Sequence, residues 1–599
     1  MTTAQHISPL LLILCGMLAL LGIDYILAIG QWPFAIGEGS GRLLMRLGES
    51  IRYVRLGVVV LYALICLLWF QRPERTDSAR PATVLLGLGL ILSLGGGLLL
   101  WYLDQLPALS YTYPLSLVAL GLGIPVVVAA LPNAGTDAIQ NPKRKRPRAF
   151  SFHLRLRDGW INLSNPFRGI LVIGGAGSGK SYSVAEPIIE QAVKAEYSGI
   201  VYDFKFPTLT EVVYSSFAKH QPDVELRVLN FSDLSQSYRV NPLKPENLPL
   251  MAYAEEFALS LITNLLPETI QHKDFWMRSA NAILTATIWY VKKHHPAQSS
   301  LPHIVALICS KDYERLIALL ESDPETAGMI ASLSVAIANE AERQVSGMMG
   351  TLQIALARLN NPEVFWVLGG DDFSLDLNAK EKPIFLCIGN HPSIADSLAP
   401  VISLVITVAL KLMNQPQKHH SMVLLDEGPT LYIPNFDQIP ATARSNKVAT
   451  IYMAQDISQM EKHYGRTNAE VIISNLNNQL FGRVSNPKTA EHISRIFGKI
   501  EKDTIESSRS SRYGKNITER VRETERLKSE AVINLSVGEF AGMSVGKTNE
   551  VFKGKVIRKK SVKALSLPSF AQGVDVKINY ERIHVEAGRI LNDTQVVNT

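Results

Sequence analysis

A glycine-rich segment in the first third of the chain has the residue types and the spacing that bind phosphate. It reads Gly174-Gly175-Ala176-Gly177-Ser178-Gly179-Lys180-Ser181 and matches the pattern G-x-x-x-x-G-K-[ST] in full. Glycines at this spacing let backbone N–H groups turn toward phosphate oxygens, Lys180 reaches the β and γ phosphates, and the Ser181 hydroxyl can ligate magnesium. Residues 174–181, called the P-loop below, therefore predict a site for ATP and Mg²⁺.

Two adjacent carboxylates much later in the chain are of the type that completes such a site. The apolar run at residues 422–425 ends in Asp426 and Glu427, and Asp426 follows Lys180 by 246 positions. A P-loop needs an acidic residue at the end of a neighbouring buried strand, so Asp426 is expected to bind the magnesium ion together with Ser181. Glu427 is expected to act as general base, because a carboxylate close to the γ phosphate can take a proton from the attacking water.

The elements that must position these residues alternate between strand and helix. Apolar runs predict strands at residues 169–173, 199–206, 225–231, 383–389, 422–425, 448–454 and 479–484. Alternation of this kind predicts an α/β fold with a mostly parallel sheet and helices on both faces. Between residues 247 and 345 the apolar residues recur every three or four positions instead, so an inserted all-α domain is predicted there.

The first fifth of the chain has the composition of a membrane domain. Residues 1–131 carry 13 charged side chains, whereas the other 468 residues carry 101. Bilayer-length apolar stretches occur at residues 10–29, 53–70, 82–103 and 114–131. They predict about four transmembrane helices in the bacterial inner (cytoplasmic) membrane. The basic residues between 143 and 148 follow the fourth stretch and would contact anionic membrane lipid, which places the phosphate-binding segment in the cytoplasm.

Overall composition excludes several other classes of protein. An apolar content of 47% with seven tryptophans excludes a largely disordered chain. The four cysteines form no C-x-x-C pair, so the sequence predicts neither a zinc site nor a disulfide scaffold. A net charge of +6 is small for 599 residues, so nucleic-acid binding would depend on local basic patches.

With these motifs in this order, the chain resembles the type IV coupling proteins of bacterial conjugation and secretion, the TraD and TraG type, within the FtsK/HerA superfamily of ring motors. Besides the phosphate-binding segment and the membrane-like N-terminus, the resemblance rests on Tyr202-Asp203-Phe204-Lys205, Asn241-Pro242-Leu243, Leu425-Asp426-Glu427, Ala443-Arg444-Ser445-Asn446-Lys447, Ala454-Gln455-Asp456 and Asn486-Pro487-Lys488-Thr489-Ala490-Glu491. The matching residues lie between 170 and 498. Many relatives have two membrane helices, whereas four are predicted here.

The resemblance implies a RecA-like P-loop ATPase that assembles as a homo-hexamer and translocates single- or double-stranded DNA. It would recruit a relaxase with its attached DNA, and protein substrates as well, and deliver them to the components of a type IV secretion channel. Gln455 occupies the family's sensor position, where an amide reports the γ phosphate. Arg444 occupies the position of the arginine that acts on the ATP of a neighbouring subunit.

Domain boundaries follow from the same patterns. A basic juxtamembrane linker is expected at 132–160 and a C-terminal tail at 561–599. The RecA-like domain is expected at 161–246 and 346–560.

Three other functions are compatible with parts of the sequence. An FtsK-like chromosome translocase also has several N-terminal spans, but its long low-complexity linker is missing here. An ABC-type transporter joins spans to a P-loop, but residues 390–421 contain no L-S-G-G-Q-like signature before the acidic strand. A receptor with a vestigial ATPase would not need the complete set of Lys180, Asp426 and Glu427.

Overall fold

The computed structural model divides the chain into two units, residues 1–138 and 139–599. It describes residues 139, 141–146, 149–270, 275–338, 342–509, 515–546, 549–557, 565–571 and 573–592. All four predicted membrane spans lie outside the described residues, so the fold reported below is that of the second unit.

Thirteen strands are present in the described part of the chain. They are β1 (Phe152–Leu156), β2 (Gly159–Leu163), β3 (Ile170–Ile173), β4 (Ser198–Asp203), β5 (Glu225–Leu229), β6 (Ile384–Gly389), β7 (Ser421–Leu425), β8 (Val448–Ala454), β9 (Asn478–Phe481), β10 (Lys499–Arg509), β11 (Lys515–Glu525), β12 (Glu539–Val545) and β13 (Asn549–Lys555).

Nine of these strands form one sheet in the order β13-β12-β9-β3-β8-β7-β4-β6-β5. The seven strands from β9 to β5 are parallel, and β12 and β13 add antiparallel strands at one edge. Every residue of β4, β6, β7 and β8 is buried, as expected for central strands covered on both faces. The mostly parallel sheet predicted from the sequence is therefore present, and it fits a RecA-like domain.

Within the described residues, seventeen α-helices accompany the strands. They are α1 (Glu186–Lys194), α2 (Thr208–His220), α3 (Met251–Leu265), α4 (Phe275–His294), α5 (Leu301–Ile308), α6 (Tyr313–Glu321), α7 (Pro324–Met329), α8 (Ala331–Ala338), α9 (Glu342–Ala357), α10 (Pro362–Leu368), α11 (Ala395–Met413), α12 (Ile439–Ala443), α13 (Ile457–Tyr464), α14 (Arg466–Asn475), α15 (Pro487–Phe497), α16 (Ser529–Ile533) and α17 (Val576–Leu591).

Side chains of β3 alternate between two hydrophobic cores, one on each face of the nine-stranded sheet. In β3, Leu171 and Ile173 belong to the core that includes α3 and α11, whereas Ile170 and Val172 belong to the core that includes α1 and the β1–β2 hairpin. Both faces of the strand that leads into the phosphate-binding segment are thus covered, which fixes the position of that segment.

The helical part of the chain is longer than the sequence predicted. Helices α3 to α10 run from residue 251 to residue 368, past the predicted boundary at 345. Helix α9 crosses that boundary without a break. Helix α10 follows because Asn361 accepts a hydrogen bond from the N–H of Val364, 2.9 Å away, and Pro362 occupies the first helical position.

Two segments expected to be a linker and a tail are packed parts of the fold. Residues 152–163, of which 152–160 fall in the predicted linker, form the β1–β2 hairpin, because the alternating Phe152, Leu154 and Leu156 bury one face of it. Helix α17, within the predicted tail, packs against α5 and α10 and buries residues 583, 587 and 590. No helix was predicted in this tail, although the three- and four-residue spacing of positions 583, 587 and 590 could have indicated one; its packing partners are distant in sequence.

One helix of the described residues, α11, is long and apolar enough to cross a membrane by length and composition. Of its most apolar window, 78% is buried inside the protein. Ser403 and Thr407 of α11 each lie 3.1 Å from the Ser260 hydroxyl of α3. The helix has the contacts of a core helix, which explains its apolar composition.

Candidate nucleotide-binding site

The glycine-rich segment connects β3 to α1 and is held by backbone hydrogen bonds from three sides. Gly174 donates to Ala454 at 3.1 Å, Gly175 donates to Arg483 at 2.7 Å, and the Ser178 carbonyl accepts from Gly538 at 2.9 Å. Gly177 and Gly179 have φ of 71° and 94°, a backbone conformation that side chains with a Cβ rarely adopt. Glycine is therefore required for the shape of the loop, and Ala176 and Gly177 form its exposed tip.

Two polar groups of this loop have the properties expected of phosphate-binding groups. The Lys180 ammonium donates to the Gly174 carbonyl, so it folds back over the loop. Burial lowers the pKa of Lys180, and the nearby Glu427 and Asp426 partly offset this effect. The buried Ser178 hydroxyl has no hydrogen-bond partner. A buried cation beside an unsatisfied donor fits an anionic ligand.

The predicted magnesium ligands lie side by side. The Ser181 hydroxyl, in a π-helical turn that continues into α1, donates to the Asp426 carboxylate at 3.2 Å. Burial, followed by the nearby charge of Asp203, raises the pKa of Asp426 to about 7. A buried carboxylate that is costly to ionise is stabilised by a divalent cation, so these two oxygens fit Mg²⁺.

Glu427, the predicted general base, is hydrogen-bonded to Gln455, the predicted sensor. The Glu427 carboxylate accepts hydrogen bonds from the Gln455 backbone N–H at 3.3 Å and from the Gln455 side-chain amide at 3.1 Å. Glu427 has φ 124°, and its carbonyl accepts from the Thr430 hydroxyl at 2.7 Å and the Thr430 N–H at 3.0 Å. Burial raises the pKa of Glu427, while Lys180 and Gln455 lower it. The unusual backbone conformation of Glu427 thus accompanies a carboxylate that contacts the residue directly after β8.

Asp203 is a third carboxylate at this edge of the sheet that the sequence did not single out as a site residue. One of its oxygens accepts from Leu209 N–H, Thr210 N–H and the Thr210 hydroxyl, each at 2.9 Å, and the other is buried without a partner. Burial raises the pKa of Asp203 despite these bonds. Its position at the carboxyl end of the apolar strand β4 was the available signal, and it resembles the signal that identified Asp426 at the end of β7.

Arg444 lies at the opposite edge of the sheet from the P-loop. Arg444 directly follows α12 and lies four residues before Val448, where β8 begins. Gln455 directly follows Ala454, where β8 ends. At about 3.3 Å per residue, the seven residues of β8 separate the two edges by about 20 Å. Arg444 is exposed, and Arg483 is the arginine whose backbone contacts the P-loop of its own chain. The structure brings the other predicted site residues together and leaves Arg444 apart.

Among the described residues, no group of three or more His, Cys, Asp or Glu side chains is arranged to hold a metal ion. Magnesium in nucleotide sites commonly has one or two protein ligands and takes the rest from phosphate and water. The Ser181–Asp426 pair is a set of that size.

Comparisons with known proteins were made for the sequence and for the fold. The family model for type IV secretory system conjugative DNA transfer matches residues 129–536, more than half of the chain. A comparison with curated protein sequences found no match.

Solved structures of a bacterial conjugative coupling protein, TrwB, share the fold. Its unbound form, which lacks 70 N-terminal residues by its description, has a TM-score of 0.55 and 17% identity and covers 71% of this chain and 93% of its own. The TrwB complex with the ATP analogue ADPNP has a TM-score of 0.54 and 15% identity, with coverages of 72% and 94%. The complex with ADP and Mg²⁺ has a TM-score of 0.53 and 16% identity, with coverages of 70% and 92%. With the family model spanning both the P-loop and the Asp426–Gln455 region, the chain belongs to the type IV secretory system conjugative DNA transfer family.

Proposed function

We propose that this chain is a membrane-anchored, ATP-driven coupling protein. It recruits a relaxase with its attached DNA, and protein substrates as well, and delivers them to a type IV secretion channel during conjugative DNA transfer. One observation supports the motor activity above all: the P-loop, Asp426, Glu427 and Gln455 meet at the carboxyl edge of one parallel sheet. Family membership supplies the DNA-transfer role.

Nucleotide and metal would be held by residues of β3, α1 and β7. The N–H groups of the P-loop and the Lys180 ammonium bind the phosphates, and Ser181 and Asp426 hold Mg²⁺. When bound, the metal neutralises charge that develops on the β- and γ-phosphate oxygens. TrwB, which has the same fold, was solved with ADP and Mg²⁺ and with ADPNP, which supports ATP and Mg²⁺ as the ligands here.

Hydrolysis would depend on the Glu427–Gln455 pair. The Glu427 carboxylate accepts the proton of the attacking water, and the Gln455 amide, which donates to that carboxylate, fixes its orientation. Because Gln455 begins the chain after β8, a change in its hydrogen bond when the γ phosphate leaves would be passed to that strand and the loop beyond it. In this way Gln455 would couple ATP hydrolysis to movement of β8 and of the loop that follows it.

The working assembly in this proposal is a homo-hexamer in the bacterial inner membrane. Residues 1–131 anchor each subunit in lipid as a multi-pass domain, and the motor domains form a cytoplasmic ring through which single- or double-stranded DNA passes. Arg444 is exposed and lies about 20 Å from the P-loop edge of its own sheet, so a catalytic role for it requires a neighbouring subunit. In this proposal the catalytic role of Arg444 and the ring therefore stand or fall together.

The test separates nucleotide binding from hydrolysis. Lys180→Ala is expected to weaken ATP binding, because it removes the cation at the phosphates. Glu427→Gln is expected to bind ATP with near wild-type affinity but to hydrolyse it about 10² to 10⁴ times more slowly, the usual contribution of a general base. Glu470→Gln, at an exposed position of α14, is the matched control and should leave both quantities unchanged.

DNA transfer between cells should fail with both site variants and proceed with the control. Equal ATP affinity and turnover in wild type, Lys180→Ala and Glu427→Gln would contradict the motor activity. Normal transfer by Glu427→Gln, with hydrolysis abolished, would contradict ATP-driven delivery.

A further inference from the structure

Three polar side chains from neighbouring strands form a line of hydrogen bonds that ends at the backbone of Glu427. The side-chain amide of Asn390, directly after β6, lies 3.0 Å from the Tyr202 hydroxyl of β4. That hydroxyl lies 2.9 Å from the Thr430 hydroxyl, which donates to the Glu427 carbonyl at 2.7 Å. Because β6, β4 and β7 are adjacent in the sheet, the line crosses its carboxyl edge from the end of β6 to the turn after β7.

The direction of each hydrogen bond in this line follows from the number of protons available. A hydroxyl carries one proton. The Thr430 proton goes to the Glu427 carbonyl, so Thr430 can only accept from Tyr202, and the Tyr202 oxygen then accepts from the Asn390 amide. The other end of that amide, the Asn390 oxygen, accepts from the His391 N–H at 2.8 Å. The bonds therefore run in one direction from Asn390 to Glu427, and bonds in such a chain strengthen one another.

The middle of the line is closed to water. Tyr202 is fully buried, and Asn390 is 2% exposed. Burial raises the pKa of Tyr202 to about 12, so the phenol keeps its proton at neutral pH and remains a donor. A phenylalanine in its place would leave the buried Asn390 amide without a partner, and water could not replace the missing hydroxyl.

We propose that Tyr202 is a positioning residue for ATP hydrolysis, which acts through Thr430 on the backbone of Glu427. The inference rests on the proposed function, in which Glu427 is the general base. At φ 124° Glu427 occupies a conformation that residues with a Cβ rarely adopt, so it depends on the two hydrogen bonds from Thr430 to keep it. Tyr202 holds the Thr430 hydroxyl in place for one of them. Without that hold the turn relaxes, and the carboxylate moves relative to the Gln455 amide and the attacking water.

The experiment compares two tyrosines at opposite ends of β4 in the full-length protein in detergent. Tyr197, directly before the strand, is also fully buried, and its hydroxyl donates to the Phe150 carbonyl at 3.0 Å, at the edge of the sheet away from the P-loop. Tyr202→Phe and Tyr197→Phe each remove one buried hydroxyl, so both should lower the melting temperature. Only Tyr202→Phe should lower kcat for ATP, by about 10- to 100-fold, the usual effect of changing a group that orients a functional side chain. The Kd for the imido analogue of ATP should be unchanged in both, which also shows that the variants are folded.

Two further comparisons test whether the effect passes through Thr430 and Glu427. Thr430→Ser keeps the hydroxyl and should retain most of the activity, whereas Thr430→Val should lower kcat as Tyr202→Phe does. In the Glu427→Gln background, adding Tyr202→Phe should lower kcat no further, because a residue that acts only through the Glu427 carboxylate then has no base left to position.

Three results would overturn the positioning role of Tyr202. They are an unchanged kcat in Tyr202→Phe, an equal fall of kcat in Tyr197→Phe, and the same fall of kcat when Tyr202→Phe is added to Glu427→Gln. Each would leave the proposed function standing as long as Glu427→Gln alone hydrolyses ATP slowly. If Glu427→Gln alone hydrolysed ATP at the wild-type rate, the general-base assignment would fail, and the positioning role would fail with it.

Discussion

Arg444 gives the sharpest prediction, because its position excludes action within one subunit. β8 places about 20 Å between Arg444 and the P-loop edge, more than an arginine side chain spans. The Arg444→Ala substitution should leave ATP binding intact, because within the described residues Arg444 forms no hydrogen bond with the P-loop. An arginine that stabilises the transferring phosphate is worth about 10³ to 10⁵ in rate, so Arg444→Ala should hydrolyse ATP at about that factor below wild type.

The assay mixes Arg444→Ala with Lys180→Ala, each nearly inactive alone. In the proposed ring, each catalytic site would use the P-loop of one subunit and Arg444 of the next. In an equal random mixture, about one quarter of the interfaces pair an intact P-loop with an intact arginine, since heterologous contacts repeat around a closed ring. ATPase activity should therefore return to about one quarter of the wild-type rate per site.

Two results would refute this reasoning. If mixed rings, shown by two different affinity tags to contain both variants, recovered no activity, the arginine would not act between subunits. If Arg444→Ala alone hydrolysed ATP at the wild-type rate, the residue would have no catalytic role. Arg466→Ala, which removes an exposed arginine from α14, controls for the loss of surface charge.

Two further predictions concern stability, and a third concerns the need for the membrane segment. Burial by itself raises the pKa of Asp323, but hydrogen bonds from Lys293 and His294 bring it down to about 2, so its contribution to stability is present above pH 4 and is lost as the pH falls from about 4 to 2. Asp323→Asn keeps a residue that can cap α7 but removes the negative charge. Because solvent screens the half-exposed Lys293, the substitution should lower the free energy of urea unfolding at pH 7 by only about 1 kcal/mol. A difference between wild type and variant that persisted unchanged to pH 2 would contradict this prediction. A fragment that starts at residue 139 should be soluble and bind ATP yet support no DNA transfer in cells. A fragment that starts at residue 150 loses both hydrogen bonds between Asn141 and Lys553, which are 2.8 and 2.9 Å long. Its free energy of unfolding should be about 1 to 3 kcal/mol lower than that of the longer fragment. Equal thermal stability of the two fragments would show that residues 139–149 are a linker.

Local sequence determined the parts of the site in which a few consecutive residues carry the chemistry. The P-loop could be predicted from residues 174–181 because the positive φ angles at Gly177 and Gly179 can be adopted readily only by glycine. The carboxylates at 426 and 427 could be predicted because a buried parallel strand is a continuous apolar run, and the residue that ends it lies at the sheet edge. The same rule applied to Asp203, whose role as a neighbour of Asp426 became visible only with the sheet order.

Tertiary structure decided everything that depends on which distant segments are neighbours. Periodicity could not show that β8 lies between β3 and β7. That order brings Gln455 to Glu427, and the parallel direction of β8 puts Arg444 at the far edge of the sheet. Nor could periodicity show that Gly538 donates a hydrogen bond to Ser178 of the P-loop, because that contact joins segments more than 350 positions apart in the sequence. The residue types of a segment and their periodicity indicate which of its faces must be buried. Which other segment packs against that face depends on the packing of the whole chain.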